Sequence, residues 1–72
     1  MRVYLDERVF SAHAVILAAD ALREAADFAI DYKGGDMACY CVTWSGGVTE
    51  ADFRREAIRQ MANIIREGGR QG

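Results

Sequence analysis

Residues 37–44 read MACYCVTW, a run of mostly apolar residues that favour β-structure. Glycine-containing turns enclose the run, KGGD at 33–36 and SGG at 45–47, so we predict one strand over residues 37–44. A strand without a polar face needs cover on both sides. In a chain of 72 residues its own helices can cover one side, and we expect a second chain or another partner on the other.

Composition places the chain among small folded proteins. Its hydrophobic content is 51% and its charged content 28%, which is typical of a globular domain rather than a disordered segment. No apolar run approaches the ~20 residues of a membrane span, and a net charge of −2 disfavours binding to nucleic acid. Asp6 and Glu7 stand where a secretory signal would be apolar. We therefore predict one cytoplasmic domain at residues 1–69 and a frayed tail at 70–72, with no membrane or nucleic-acid partner.

The hydrophobic pattern predicts the element order β-α-β-β-α. Residues 2–5 alternate as a short strand, and Ser11 is suited to cap a helix that starts at Ala12. The apolar stripe of this helix comprises Val15, Ala19, Leu22 and Ala26, widened by Ile16. Residues 28–32 alternate again and are predicted to form a hairpin with the 37–44 strand through the glycine pair at 34–35.

A second helix is predicted after the hairpin. Thr49 is suited to cap it, and Asp52 can reach back to Thr49 as in a capping box. Its apolar stripe comprises Phe53, Ala57, Met61, Ile64 and Ile65. The glycine pair at 68–69 predicts its end.

The same pattern predicts the sheet topology. A right-handed crossover makes the first two strands parallel, and the hairpin places the third strand either outside the second or between the two. We predict the middle position, order 1-3-2, because a strand that is apolar on both faces would promote aggregation at an edge. The fold class is therefore α+β, with both helices packed on one face of a three-stranded sheet. The other face carries Arg2, Tyr4, Asp27, Ala29 and Asp31, with either Met37, Cys39, Cys41 and Thr43 or Ala38, Tyr40, Val42 and Trp44.

This open face is the predicted contact surface, because small soluble proteins rarely leave a large apolar patch in water. The candidate partner-binding residues are Tyr4, Met37, Cys39, Tyr40, Cys41 and Trp44. An extended peptide can also add to an unpaired outer strand. The alternative is that both faces of the third strand are core and a terminal segment covers the back of the sheet.

Arg55 and Arg59 belong to a basic stripe on the second helix and are further candidates for binding an acidic partner. The alternative interpretation is a solvated helix face with weak ion pairs.

No catalytic or metal-binding pattern stands out in the sequence. The glycine pairs at 34–35 and 46–47 lack the spacing of a phosphate-binding loop, and His13 has no catalytic partner at a suitable spacing. Cys39 and Cys41 are interpreted as small buried residues in a reducing compartment. A metal would need cysteines from two chains, because one chain supplies only half of a four-ligand site; such a site between subunits, held by Cys39 and Cys41 of each chain, is a third functional alternative. We predict a non-enzyme without a cofactor.

Several segments together resemble the HxsD family. They are LDERVFS at 5–11, the alanine pair at 18–19, FAID at 28–31, the GD turn at 35–36 and FRRE at 53–56. Members of that family are small accessory proteins of His-Xaa-Ser peptide-modification systems, encoded beside radical-SAM enzymes. The resemblance implies binding to a maturase or to its peptide substrate, and it transfers no catalytic residue.

Two functional hypotheses follow from these observations. The first is an accessory adaptor that docks to a larger enzyme or presents a peptide to it. The second is a structural subunit that forms a homo-oligomer, with sheets packed back to back or joined edge to edge.

Overall fold

The computed structural model describes the backbone of residues 1–36 and 38–70 and the side chains of residues 1–36 and 38–67. Its elements are β1 (Arg2–Asp6), α1 (Ala12–Ala21), β2 (Ala26–Lys33), β3 (Cys39–Gly46) and α2 (Glu50–Arg70). This order confirms the predicted β-α-β-β-α arrangement. Met37 and the last two residues of the predicted tail, Gln71 and Gly72, lie outside the described residues.

The three strands form one antiparallel sheet in the order β1-β3-β2. Val42 in β3 faces Val3 of β1 on one side and Ile30 of β2 on the other. The predicted α+β fold and the central position of the third strand are therefore confirmed. Because β1 and β2 both run antiparallel to β3, they are parallel to each other, as predicted.

The two faces of β3 differ in what covers them. Val42 and Trp44 belong to the buried core together with Val15 of α1 and Phe53 of α2, and Tyr40 packs against that core. Side chains alternate along a strand, so Cys39, Cys41 and Thr43 point to the opposite, open face. The structure thus selects one of the two sets that the sequence left open.

An aromatic cluster joins the sheet to α2. The ring of Phe53 lies 5.2 Å from that of Phe28 and 5.3 Å from that of Trp44, measured between centroids. The indole N–H of Trp44 donates a hydrogen bond of 2.8 Å to the carbonyl of Val48. The remaining core comes from β1, the β1–α1 turn, α1 and α2, mainly Val3, Leu5, Phe10, Val15, Ala18 and Ala57. Both helices therefore pack on the same face of the sheet.

Helix α1 is shorter than its apolar stripe predicted. Ser11 caps it as expected, with its hydroxyl accepting from the N–H of Ala14 at 3.2 Å, but the helix ends at Ala21 with Leu22 as the C-cap. Ala26 is instead the first residue of β2, where it faces Gly46. Sheet pairing has outweighed the helix propensity of alanine here. Ile16, which the pattern assigned to the stripe, is 55% exposed.

The third strand and the second helix also end later than predicted. β3 spans Cys39–Gly46 rather than residues 37–44, and α2 continues through the glycine pair at 68–69 to Arg70. The core contacts α2 at Phe53, Ala57 and Met61, whereas Ile65 is 68% exposed. At ~1.5 Å per residue, a helix of 21 residues is about 30 Å long. The apolar stripe of α2 continues to Ile65, one turn beyond its last contact with the core at Met61.

The start of α2 leads to a prediction about pH. The N–H of Thr49 donates to the Asp52 carboxylate at 3.2 Å, and the N–H of Asp52 donates to the Thr49 hydroxyl at 3.0 Å, the predicted capping box. The hydrogen bond from the Thr49 backbone lowers the pKa of Asp52 below its usual 3.8. A carboxyl whose pKa is lowered on folding stabilises the protein above its unfolded pKa, and this contribution disappears as pH falls through the folded pKa.

We therefore expect the urea midpoint of the wild type to fall as pH drops below about 4, and to fall less in Asp52→Asn. Asp6 titrates in the same range, because its bond with Arg8 lowers its pKa as well. The comparison of Asp52→Asn with wild type cancels that contribution. An equal fall of the urea midpoint with pH in wild type and Asp52→Asn would contradict this role of Asp52.

Candidate interaction surface on the sheet

The open face of the sheet is built from cross-strand rows of three residues. The strand register gives Arg2–Thr43–Ala29, Tyr4–Cys41–Asp31 and Asp6–Cys39–Lys33. A central column of small side chains thus lies between two borders that carry charges. Tyr4 is half exposed, whereas Cys41 beside it is only 7% exposed. Another protein on this face would contact a tyrosine ring and side chains of both charges.

The structure places the predicted partner-binding residues on the open face, on the helix side of the sheet and on α2. Tyr4, Cys39 and Cys41 share the open face. Tyr40 and Trp44 lie on the helix side, and Trp44 is 5% exposed within the core, so its ring does not line the open face. Met37 lies outside the described residues.

Arg55 and Arg59 lie on α2 and are not part of the open face. Each approaches an acidic residue one turn earlier on its own helix, Asp52 and Glu56, with a nitrogen–oxygen distance of 3.8 Å. Both arginine side chains are about three-quarters exposed. Exposed pairs of this kind contribute little to stability, because water and salt screen them. The geometry matches the interpretation of a solvated helix face.

The hydrogen bonds at the ends of β1 establish which backbone groups face which neighbour. Met1 and Trp44 exchange both of their backbone hydrogen bonds, and the N–H of Glu7 donates to the carbonyl of Ala38. Hydrogen-bonded and non-hydrogen-bonded pairs alternate along an antiparallel ladder. In β3 the backbone groups of Tyr40 and Val42 therefore face β1, and those of the odd-numbered residues face β2.

The same alternation defines the outer edge of β2. Asp27, Ala29, Asp31 and Lys33 face odd-numbered residues of β3 and hold the hydrogen bonds of that ladder. Phe28, Ile30 and Tyr32 must then point their N–H and C=O groups away from β3. Within residues 1–36 and 38–70, none of these outward groups has a hydrogen-bond partner.

The outer edge of β1 is different, because the protein itself occupies much of it. The guanidinium of Arg54 on α2 donates to the outward carbonyl of Tyr4 at 3.4 Å. The outward carbonyl of Asp6 accepts from the N–H groups of Val9 and Phe10 at 3.0 and 2.9 Å. The sheet thus has one edge that is partly closed and one that is open.

β2 also lacks part of the usual protection of an edge strand. Natural edges are guarded by proline, bulges, short length or charged side chains. The chain contains no proline, β2 pairs with β3 over eight residues without interruption, and its charged residues, Asp27, Asp31 and Lys33, all lie on the open face. On the helix side of this strand, Ile30 is 38% and Tyr32 51% exposed. Apolar and aromatic surface therefore lies directly beside the unpaired backbone groups.

Tyr32 extends this surface towards the β1–α1 turn. Its ring lies 5.3 Å from that of Tyr40, between centroids, and its hydroxyl donates to the carboxylate of Glu7 at 2.7 Å. This hydrogen bond, and the negative charge of Glu7, raise the pKa of Tyr32 above its usual 10.0.

A cleft of about 810 Å³ lies at the same end of the sheet, between the β1–α1 turn and the β2–β3 hairpin. Both signs of charge line it, including Asp6, Arg8 and Lys33. Arg8 binds the Asp6 carboxylate at 2.9 Å, and this hydrogen bond holds the pKa of Asp6 below its usual value. The hydrogen bond to Arg8 makes the Asp6 carboxylate a weaker proton acceptor than a free aspartate.

Cys39 and Cys41 are both free thiols. Over the described part of the chain, no group of three or more His, Cys, Asp or Glu side chains is placed to hold a metal ion. No helix among the described residues combines the length and apolar character needed to cross a membrane.

Comparison with protein-family models, with curated proteins and with solved structures found no match to this chain. The sequence and the geometry of the sheet are therefore the basis for a functional interpretation.

Two features of this surface were not predicted from the sequence. Arg54 was not singled out beside Arg55 and Arg59, because only its three-dimensional position opposite Tyr4 distinguishes it. The alternation of residues 28–32 predicts a strand with Phe28, Ile30 and Tyr32 on its buried side, and it does not indicate that Ile30 is 38% exposed.

Proposed function

We propose that the protein is a non-catalytic, cytoplasmic accessory protein that binds another polypeptide as an added strand at the open edge of β2. The partner segment belongs to a larger enzyme or to the peptide on which that enzyme acts. Given the resemblance to HxsD, the enzyme class proposed is a radical-SAM peptide maturase.

The observation that carries this proposal is the difference between the two sheet edges. Among the described residues, the outward backbone groups of Phe28, Ile30 and Tyr32 have no hydrogen-bond partner, whereas Arg54 and the β1–α1 turn donate to the outward carbonyls of Tyr4 and Asp6. In strand addition the main-chain hydrogen bonds supply affinity, and pockets for alternate side chains supply selectivity. An open edge on a sheet whose other edge is partly closed directs strand addition to β2.

Side chains on both faces would then select the partner strand. On the helix side, Ile30 and Tyr32 favour apolar residues at alternate positions of that strand. On the open face, Asp27 and Asp31 lie on β2 next to the edge and favour basic residues at the intervening positions. The preferred segment is therefore an extended peptide that alternates basic and apolar residues.

The homo-oligomer hypothesis also gains a specific observation. Asp27 and Lys33 lie on the same face of β2, near its two ends, so the strand carries opposite charges in a pattern that an antiparallel copy of itself can match.

The test is co-expression of the chain with the proteins encoded beside its gene, comparing wild type with Ile30→Pro. Proline removes one outward N–H and is tolerated at an edge position that does not donate to the sheet. We expect wild type to co-purify with a maturase in fixed stoichiometry, and the affinity of Ile30→Pro to be lower by roughly tenfold or more.

Arg2→Pro is the matched control, because the backbone of Arg2 also points to an outer edge, that of β1. Circular dichroism verifies that both variants are folded. Amide exchange in the wild-type complex is an independent measurement, in which the N–H groups of Phe28, Ile30 and Tyr32 should become protected. Equal binding by wild type and a folded Ile30→Pro, without that protection, would refute strand addition at β2.

A further inference from the structure

We infer that in the free protein the open edge of β2 is paired with β2 of a second copy, antiparallel and centred on Ile30. This inference rests on the proposed use of the β2 edge for strand pairing, and it names the polypeptide that occupies the edge in the absence of another partner. Each Asp27 then faces Lys33 of the second copy.

The direction of the backbone groups restricts how two β2 strands can meet. Only the even-numbered residues Phe28, Ile30 and Tyr32 offer outward N–H and C=O groups. In a symmetric antiparallel pair these groups can bond only if even-numbered residues face even-numbered residues. The same condition keeps the open faces of both copies on one side of the joined sheet. The permitted registers are therefore those with a residue, rather than a peptide bond, on the two-fold axis.

The registers centred on Ala29 and Ile30 each pair seven residues of β2 with the second copy, and those centred on Phe28 and Asp31 each pair five; charge decides among them. Centred on Phe28, the pair sets Asp27 opposite the neutral Ala29 and forms no ion pair. Centred on Ala29, the pair sets Asp27 opposite Asp31 of the second copy, and centred on Asp31 it sets two aspartates directly opposite each other. Like charges that face each other across strands are destabilising. Centred on Ile30, Asp27 faces Lys33 of the second copy at both ends of the pair, and Asp31 faces the neutral Ala29. Only this register converts the charges of β2 into attractive pairs.

The apolar side of β2 fits the same register. Ile30 meets Ile30 of the second copy on the axis, and Phe28 faces Tyr32 of the second copy on either side. These three residues are those with outward backbone groups, so the register uses about six main-chain hydrogen bonds. Aromatic and aliphatic cross-strand pairs are among those that stabilise antiparallel sheets. Pairing also removes from water the exposed surface of Ile30 and Tyr32.

Asp27 and Lys33 are free to form these contacts. Neither takes part in an ion pair within residues 1–36 and 38–67, where the ion pairs involve other side chains. They would face each other in non-hydrogen-bonded pairs, where cross-strand side chains lie closest. The assembled sheet would have β1 at both outer edges, each partly closed by Arg54, and the two open faces side by side.

The test is sedimentation equilibrium over a concentration series that extends into the millimolar range. We expect wild type to dimerise reversibly. Asp27→Lys and Lys33→Asp should each weaken the dimer by roughly tenfold or more, because each substitution creates a like-charged pair at both ends of the strand. The double variant Asp27→Lys/Lys33→Asp should restore the wild-type dissociation constant. An equimolar mixture of the two single variants should form a mixed dimer more tightly than either alone.

Asp31→Ala is the matched control, since it removes a charge from the same face of β2 at a position that faces Ala29 of the second copy. Its dissociation constant should stay within about twofold of wild type. In the dimer the amides of Phe28, Ile30 and Tyr32 should exchange slowly. A wild type that is monomeric at all concentrations, a dimer indifferent to both single substitutions, or a double variant that fails to restore pairing would overturn the inference.

These results can be separated from those that test the proposed function. A monomeric wild type that still forms a maturase complex sensitive to Ile30→Pro would overturn only the self-pairing. A charge-dependent dimer that binds no product of the neighbouring genes would overturn only the adaptor role. Amides of Phe28, Ile30 and Tyr32 that exchange rapidly in every assembly would overturn both.

Discussion

Trp44→Ala is expected to unfold a large fraction of the protein under conditions where the wild type is folded. The ring of Trp44 lies within 5.3 Å of those of Phe28 and Phe53, between centroids, and its indole donates to Val48. Truncating such a buried aromatic residue costs about 3–5 kcal/mol. A protein has roughly 0.05–0.15 kcal/mol of stability per residue, so a chain this short would lose much of its total. Urea unfolding followed by circular dichroism measures the loss.

Two variants separate the contributions of Trp44. Trp44→Phe keeps an aromatic ring but leaves the carbonyl of Val48 without its donor, and it should cost less, about 1–3 kcal/mol. Tyr4→Ala, on the half-exposed open face, should change stability by less than about 1 kcal/mol. Trp44→Ala with the stability of wild type would refute the position of this ring in the core.

Trp44 is also a spectroscopic control for the site, because it is the only tryptophan in the chain. As a residue of the core it should emit at the short wavelengths of buried indole. A partner bound on the open face or at the β2 edge should leave that emission unchanged.

The strand order could be predicted from the sequence because the composition of residues 37–44 requires pairing on both edges. The open face of that strand could not be predicted in the same way, because both alternating sets contain apolar residues. Packing volume decided it: the larger set, with Tyr40 and Trp44, fills the space under the helices, and the smaller set, with Cys39 and Cys41, faces outward. Side-chain size is visible in the sequence, but the space under the helices is not.

The difference between the two sheet edges lay beyond sequence reasoning for another reason. It depends on which residues of β3 direct their backbone groups towards β1, and this is defined by the pairing of Met1 with Trp44. A shift of the β1–β3 register by one residue would reverse which β3 residues direct their backbone groups towards β1. Arg54 reaches the carbonyl of Tyr4 across 50 residues of sequence, a contact that no local pattern indicates.

Gly46→Ala is expected to be the most damaging substitution outside the core. Gly46 has φ +133°, a conformation that residues with a side chain rarely adopt, and a Cβ at this position would lie 2.7 Å from the carbonyl oxygen of Ala25. The backbone before β2 would have to move. Strain of this kind costs about 1–3 kcal/mol, and we expect a loss of about 2–4 kcal/mol once the displaced pairing is included, measured by urea unfolding.

Two other glycines make the result interpretable. Gly47 has no positive φ, and no atom of the described residues lies within 4 Å of a Cβ built there, so Gly47→Ala should stay within about 0.5 kcal/mol of wild type. Gly35 has φ +96°, and the described part of the chain likewise places no atom within 4 Å of its Cβ, so Gly35→Ala isolates backbone strain, about 1 kcal/mol. Because Gly46 faces Ala26 at the first residue of β2, its substitution should also speed amide exchange along that strand, which the other two should not do. A Gly46→Ala loss no larger than that of Gly35→Ala would show that the chain can move Ala25 freely, and the start of the open edge would then be less firmly positioned than strand binding requires.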